Sequence, residues 1–316
     1  GYYEEAAQFI NWLEARTVDD HRNGPLQVLY RVDGSANVDE LTLDYLDGYG
    51  GSRPVRIGNA ASRQLQLDIY GELIDAIYLY NKYAQPISYE LWNYVRRLTE
   101  WVCDNWERPD HSIWEVRLEP QQYVYSKLQC WVALDRALRV ATKRNLPLDF
   151  DRVRKESIRI YNTLMQHGWN DKIKSFVQVL DGEALDSTSL MLPLMMFVSP
   201  AEPRMEQTLD NIVRHLVSDS LVYRYELGKA IGDGLPGYEG TFSVCTFWLV
   251  EVLARAGRLD DARFTFEKML TYANHLGLYA EQIGPTGELL GNFPQAFTHL
   301  GLITAALDLD ARLDRR

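Results

Sequence analysis

Two glutamates stand out in this sequence because of their neighbours. The segment Ser112-Ile-Trp-Glu-Val-Arg117 sets Glu115 directly after a tryptophan, and Gly277-Leu-Tyr-Ala-Glu-Gln282 sets Glu281 two residues after a tyrosine. An aromatic ring beside a carboxyl strips water from it, favours the neutral acid and offers a flat face for a sugar ring. Two such carboxyls can split an acetal, one lending a proton to the leaving oxygen and the other activating a water. A plainer reading also stands: each is one of 44 acidic side chains, solvated or paired with an arginine such as Arg117.

Other segments offer groups suited to a polyhydroxylated ligand. Trp114 and Tyr279 read equally as sugar platforms or as core. In Arg53-Pro-Val-Arg-Ile-Gly-Asn-Ala-Ala61 the proline and glycine fix the chain while Arg56 and Asn59 offer donors and acceptors, to a pocket or to a helix start. Asp233, Tyr238 and Glu239 lie in a glycine-rich loop ahead of a helical pattern, where an acid caps a helix as readily as it contacts sugar. His21, His111, His275 and His299 show no ligand spacing, so no metal is expected. Asp47-Gly-Tyr-Gly-Gly-Ser52 lacks the lysine and preceding strand of a phosphate loop, and no cofactor is expected.

Positioning these groups falls to helices. Near residues 2–16, Ala6, Ala7, Phe9, Ile10 and Leu13 make one apolar face. The same periodicity predicts helices near 61–84, 88–107, 122–143, 149–167, 186–197, 203–217, 239–256, 259–275 and 294–311, about ten in all. Long aromatic and glycine-rich connections run between them at 24–60, 108–121, 168–185, 218–238 and 276–293. Spaced apolar residues, as in Leu26-Gln-Val-Leu-Tyr-Arg-Val32, predict ordered loops with short β pieces. No stretch of Pro, Ser or charge divides the chain, which predicts one all-α domain over 1–316. Paired helices without a fixed sequence repeat predict hairpins around a common axis, a closed α/α toroid with loops gathered at one mouth.

Bulk composition narrows the partners. The 316 residues are 46% hydrophobic and 24% charged, ample for a sizeable core. A net charge of −11 and the lack of any basic run argue against nucleic acid and anionic membrane surfaces. Cys103, Cys130 and Cys245 are far apart in apolar helical contexts and read as reduced core residues. Neither a secretory leader pattern nor a membrane span is visible, so a cytoplasmic protein is expected.

Five segments in register carry a family resemblance: Ser52-Arg-Pro-Val-Arg-Ile-Gly-Asn-Ala-Ala61, Ser112-Ile-Trp-Glu-Val-Arg117, Tyr125-Ser-Lys-Leu-Gln-Cys-Trp-Val-Ala-Leu-Asp135, Glu239-Gly-Thr-Phe242 and Tyr279-Ala-Glu-Gln282. Over essentially its whole length the chain resembles glycoside hydrolase family 15, the glucoamylase family, in the bacterial branch that includes α-glucan hydrolases and trehalases. The resemblance implies an (α/α)6 toroid and an inverting, exo-acting hydrolase. It would release glucose from the non-reducing end of an α-linked oligosaccharide or polysaccharide. A trehalase is the alternative, and a noncatalytic sugar-binding or regulatory relative is the alternative from another class. Glu115 matches the general acid and Glu281 the general base, which in inverting enzymes stand about 6.5–9.5 Å apart. Retention of both favours the enzyme. Arg224, in Val222-Tyr-Arg-Tyr225, resembles the arginine that hydrogen-bonds the terminal glucose, with an ion pair to Glu226 as its structural alternative. Bacterial members carry further helices and an Arg-Asp motif ahead of the first helix seen here. The resemblance therefore implies a toroid incomplete at its N-terminal side and weak hydrolysis by these 316 residues.

Overall fold

The computed structural model describes residues 2–15, 26–235, 237 and 239–314, which divide into two compact units, Gly1–Asn162 and Thr163–Arg316. His21 and Tyr238 lie outside the described residues.

The first unit is built on helices α1 (Tyr3–Glu14), α2 (Asp68–Tyr83), α3 (Tyr89–Asn105), α4 (Val124–Arg144) and most of α5 (Phe150–His167). A small antiparallel pair, β1 (Leu41–Thr42) and β2 (Arg56–Ile57), aligns Leu41 with Ile57. The Ser88 side chain caps α3 by accepting the Leu91 N–H at 3.0 Å. The last turn of α4 carries Lys143 and Arg144 and ends at Asn145 in the left-handed region. Helices α2 and α4 pack along one another, burying Tyr70, Ile74 and Ile77 from one and Leu128, Val132 and Ala133 from the other. Burying an aliphatic side chain of this size stabilises by about 1.5–3 kcal/mol. The buried Arg136 of α4 ties the pair by donating to Asp75 of α2 at 2.5 Å and to Asp135 at 2.6 Å.

In the second unit, hairpins alternate with helices. β3 (Trp169–Asn170) pairs with β4 (Ser175–Phe176), and α6 (Met191–Leu194) and α7 (Pro203–His215) follow. Then β5 (Val217–Ser218) pairs with β6 (Leu221–Val222). β7 (Thr241–Phe242) leads into α8 (Ser243–Arg255), α9 (Leu259–Leu270), β8 (Gln282–Ile283), β9 (Leu289–Leu290) and α10 (Ala296–Leu313). The strand order β7-β8-β9 is antiparallel, with Phe242 opposite Gln282 and Gln282 opposite Leu290. Helix α8 is buried from Ser243 to Ala254 and packs against both α9 and α10, so its sequence is apolar nearly all round.

Ten α-helices lie among the described residues, and four of the expected boundaries move. The helix expected at 61–84 begins only at Asp68. Residues 60–63 form a 3-10 turn, and Gln64, Leu65 and Leu67 give polar groups to the loop around Asp110 and Glu115 instead of to a helical ladder. The expected 186–197 helix is a 3-10 turn over Ser187–Leu190 and one α-turn. Asp186 accepts from the Thr188 N–H and hydroxyl, and Pro193 brings no N–H. The 239–256 helix starts at Ser243 because Thr241 and Phe242 pair with β8. The 259–275 helix ends at Leu270, after which the Thr271 hydroxyl donates to the Lys268 carbonyl. The expected β character of Leu26–Val32 is also absent, and Arg31 instead opens a turn closed by Ser35.

Candidate active site

Glu115 sits in a tight turn. Its N–H donates to Ser112 O at 3.1 Å, and Val116 N–H donates to His111 O at 3.1 Å. Ser112 and Glu115 both take left-handed backbone, with φ of 58° and 53°. That conformation costs a residue with a side chain about 1–2 kcal/mol, so outside contacts must hold it. Gln64 Nε2 donates to the carbonyls of Glu115 (3.2 Å) and Val116 (2.9 Å). His111 N–H donates to Leu65 O at 3.0 Å, and Leu67 N–H to Asp110 Oδ2 at 3.0 Å. The half-buried carboxyl of Glu115 accepts from Asn59 Nδ2 at 2.9 Å through Oε2. Asn59 itself caps the 3-10 turn, its Oδ1 accepting the Ala61 N–H at 2.9 Å.

Buried acids lie close to this turn. Asp110 gathers Leu67 N–H, Ser112 N–H and the Ser126 hydroxyl on Oδ2, and burial pushes its carboxyl up. Asp68 is 2% exposed. Burial first, and then the charges of Glu72, Asp110 and Glu115, push it well above the usual carboxylate range, which favours its neutral form.

Arg56, expected at sugar, pairs with Glu40 at 3.3 Å, and Arg117 binds the same carboxylate with two N–H groups at 3.1 and 2.7 Å. The hydrogen bond from Arg117 holds the Glu40 carboxyl below its ordinary value. Arg117 is therefore a partner of Glu40.

In the second unit, Glu281 immediately precedes β8. Its N–H donates to Asn292 O at 3.0 Å and its carbonyl accepts from Ser243 N–H at 2.9 Å, fixing the backbone between β7 and the turn after β9. The side-chain Oε2 accepts twice from Asn292, from the backbone N–H at 2.8 Å and from Nδ2 at 3.0 Å. Gly291, at φ 72°, makes this approach possible, since a Cβ there would lie 2.7 Å from Glu281 Oε2. Among the described residues, both donors fall on the one oxygen, Oε2.

Arg224 and Glu239 bind each other. Arg224 is 7% exposed and grips Glu239 with Nε to Oε1 at 2.6 Å and Nη2 to Oε2 at 2.9 Å; Nη2 also reaches Asp233 at 2.8 Å. Burial opposes the cation, but Glu239 and Asp233 outweigh it and hold the guanidinium firmly charged. Glu226, the alternative partner, pairs with Lys229 at 2.6 Å. The aromatic candidates are buried. Trp114 is 4% exposed and Tyr279 3%, which leaves neither an open face for a sugar ring. Tyr279 packs edge-on to Phe247 and His299. The three cysteines are free and buried, with Cys103 and Cys130 each pushed up to about 12 by burial. Among the described residues no group of His, Cys, Asp and Glu could hold a metal, and no helix is long and apolar enough to cross a membrane.

Sequence reasoning missed Gln64, Asp68, Asp110, Glu40, Gly291 and Asn292. Only the last two left a readable signal, a Gly-Asn turn directly after an apolar pair.

Comparison with known proteins adds ancestry to this geometry. The family model described as Glycosyl hydrolases family 15 matches residues 1–307. The chain is 40% identical to the trehalase of Mycobacterium tuberculosis over 309 residues, which are 97% of this chain and 45% of that protein. It is 38% identical to the trehalase of Thermoplasma volcanium over 318 residues, 100% of this chain and 50% of that protein. The chain thus spans about half the length of the curated relatives it matches. Among solved structures, the family 15 glucoamylase from Hypocrea jecorina aligns with a TM-score of 0.69 at 13% identity, covering 97% of this chain and 60% of that one. A bacterial glucoamylase complexed with acarbose gives 0.65 at 16%, covering 83% and 44%. At these identities the structures show the fold, which is all-α and of the (α/α)6 toroid class.

Proposed function

Since the chain belongs to glycosyl hydrolase family 15, we propose that it carries the catalytic groups of an inverting trehalase, with Glu115 as general acid and Glu281 as general base. The sequence reading puts α-glucans first and trehalose second. Identity of 38–40% to trehalases along nearly the whole chain supports the reverse order, and it is the observation that carries this reading. The two carboxyl environments are consistent with the roles. Among the described residues, Glu281 has one oxygen held by two N–H donors and the other without one, an arrangement that suits a base that must orient and deprotonate water. Glu115 is half-buried beside the buried Trp114 and, among the described residues, is held by a single neutral donor, as suits an acid.

In the proposed reaction Glu115 gives its proton to the bridging oxygen of trehalose as the C1–O bond breaks, and the bonding pair leaves on that oxygen. Water attacks C1 from the opposite face and passes a proton to Glu281. One glucose is released with inverted, β configuration and the other keeps its α configuration. The test is glucose release by the whole protein from trehalose, maltose, isomaltose and longer dextrins, with proton NMR of the first products. Trehalose should be the best substrate and should give α- and β-glucose in equal amounts at first. Preference for dextrins would restore the glucoamylase-like reading. Only α-glucose from trehalose would mean retention and remove Glu281 as a base. Binding without cleavage would mark a noncatalytic relative.

A further inference from the structure

We propose that Asn59 is a positioning residue that fixes the Glu115 carboxyl and leaves Oε1 as the oxygen that carries the transferable proton. The inference rests on the reading of Glu115 as the general acid. The orientation of the Asn59 carboxamide is determined by its two partners. Oδ1 accepts the Ala61 N–H at 2.9 Å, and the amide nitrogen faces Glu115 Oε2 at 2.9 Å. Turning the amide over would set its NH2 against the Ala61 N–H and withdraw the N–H donor from Glu115 Oε2, so that a repulsion replaces the cap.

A protonated carboxyl has one carbonyl oxygen, a good acceptor, and one hydroxyl oxygen, a poorer one. An N–H held against Oε2 makes Oε2 the carbonyl-type oxygen and places the proton on Oε1. In the reaction the Oε1–H bond breaks, an O–H bond forms on the glycosidic oxygen, and the charge left on the carboxylate is already met at Oε2 by Asn59. No donor has to move during the step, which is the benefit of preorganisation. The same clamp serves the backbone. Segment 59–67 also supplies Gln64 and the Leu65 carbonyl to the turn that carries Glu115, so the strained φ of 53° and the carboxyl direction are set by one neighbouring stretch. Of the two readings from sequence, a pocket contact or a helix start, the second is the one that Oδ1 fills by capping the 3-10 turn.

Asn59→Asp separates the donor from the cap, since it preserves size and the Oδ1 acceptor for Ala61 but loses the N–H toward Glu115. Asn59→Ser is a second variant, whose shorter hydroxyl can cap but cannot reach Glu115. In the whole protein both should lower kcat on trehalose by about tenfold to a hundredfold, a part of what general acid catalysis supplies. KM should stay within about threefold, and α-glucosyl fluoride, whose leaving group needs little protonation, should be spared. Asn59→Asp should regain activity as pH falls and the introduced carboxyl takes up a proton to become a donor, while Asn59→Ser should not. Crystal structures should show the Glu115 carboxyl displaced in both variants with the backbone turn retained. A carboxyl that keeps its place, or a KM rise shared by both substrates with kcat unchanged, would overturn the proposal. Failure of the underlying reading is separate: it would show as trehalose hydrolysis surviving Glu115→Gln.

Discussion

The turn around Glu115 and the hairpin around Glu281 hold a glutamate in different ways. Glu115 depends on distant chain: its carboxyl donor comes from Asn59, 56 residues earlier, and its backbone is braced by Gln64 and Leu65. The glutamate itself carries the left-handed backbone. Glu281 is held locally, by a donor 11 residues later on the neighbouring turn, and the left-handed backbone falls on Gly291, where it costs little. The first arrangement couples a strained glutamate to its surroundings through side chains. The second builds the same kind of cradle from main chain and a missing Cβ. The difference teaches where each is vulnerable: the first to loss of a polar side chain, the second to gain of an apolar one.

The largest expected effects test whether the two carboxyls differ in role. Glu115→Gln should slow trehalose hydrolysis by about 10²–10⁴-fold while sparing α-glucosyl fluoride, since that leaving group departs without a proton. Glu281→Gln, if Glu281 is the base as proposed, should slow both substrates by a similar factor, because water must be deprotonated in either case. Steady-state rates on the two substrates give the comparison, and equal losses on fluoride in both variants would erase the distinction.

The next effect tests the hairpin's dependence on an absent side chain. Gly291→Ala would put a Cβ 2.7 Å from Glu281 Oε2 and also strain the backbone by about 1–2 kcal/mol. The carboxyl must move, and a displacement of about 1 Å is enough for roughly a hundredfold loss in rate. Gly287→Ala is the control. Gly287 is equally left-handed, at φ 87°, but the nearest atom to its added Cβ is a Tyr272 ring carbon at 3.6 Å. Both variants should lose similar thermal stability, and only Gly291→Ala should lose activity. Equal activity in the two would show that the contact with Glu281 is unimportant.

A smaller effect concerns Asp68, the buried acid near Glu115. A carboxyl raised in the folded state contributes stability that is present below its unfolded value and lost as pH rises through the folded one. Asp68 therefore makes the protein less stable toward neutral and alkaline pH. Asp68→Asn should flatten that slope and gain about 1.4 kcal/mol at pH 8 for each unit of difference removed. Urea unfolding at pH 5 and pH 8 measures it, and an unchanged slope would mean that Asp68 is not held neutral in the folded protein.

Local pattern made much of this molecule legible in its sequence. Helices α3, α4, α5 and α7 lie within a few residues of their periodic patterns, because apolar residues recur in each at helical spacing and each has capping or terminal charges of its own. The start of α2 was hidden, since Gln64 to Leu67 look helical by composition and are drawn off by a loop some 50 residues later. The two glutamates were visible as aromatic-flanked acids, but their partners were not. Nothing in the spelling of Asn59 states whether it serves a ligand or a carboxyl 56 residues away. Arg224 and Glu239 were each candidate sugar contacts with a structural alternative, and their sequence positions do not reveal that they bind each other in a buried loop. Trp114 and Tyr279 show the same limit, as a ring's neighbours in sequence do not reveal which face the fold will cover.

The smallest effect is the sharpest test of the contrast between the two cradles. Asn292 gives Glu281 Oε2 two hydrogen bonds, and only the one from Nδ2, at 3.0 Å, belongs to the side chain. Asn292→Ala removes that bond and keeps the backbone N–H at 2.8 Å. A hydrogen bond from an exposed amide to a carboxylate is worth about 1 kcal/mol or less net, because water replaces it. The rate should therefore fall by no more than about fivefold, on trehalose and α-glucosyl fluoride alike, since a base is needed for both. Asn59 has no such reserve: among the described residues it reaches the Glu115 carboxyl through its side chain alone, and on the proposed roles its removal should cost more on trehalose than on fluoride. If Asn292→Ala proves as damaging as Asn59→Asp, the main chain is not what holds Glu281, and the two cradles work by the same device.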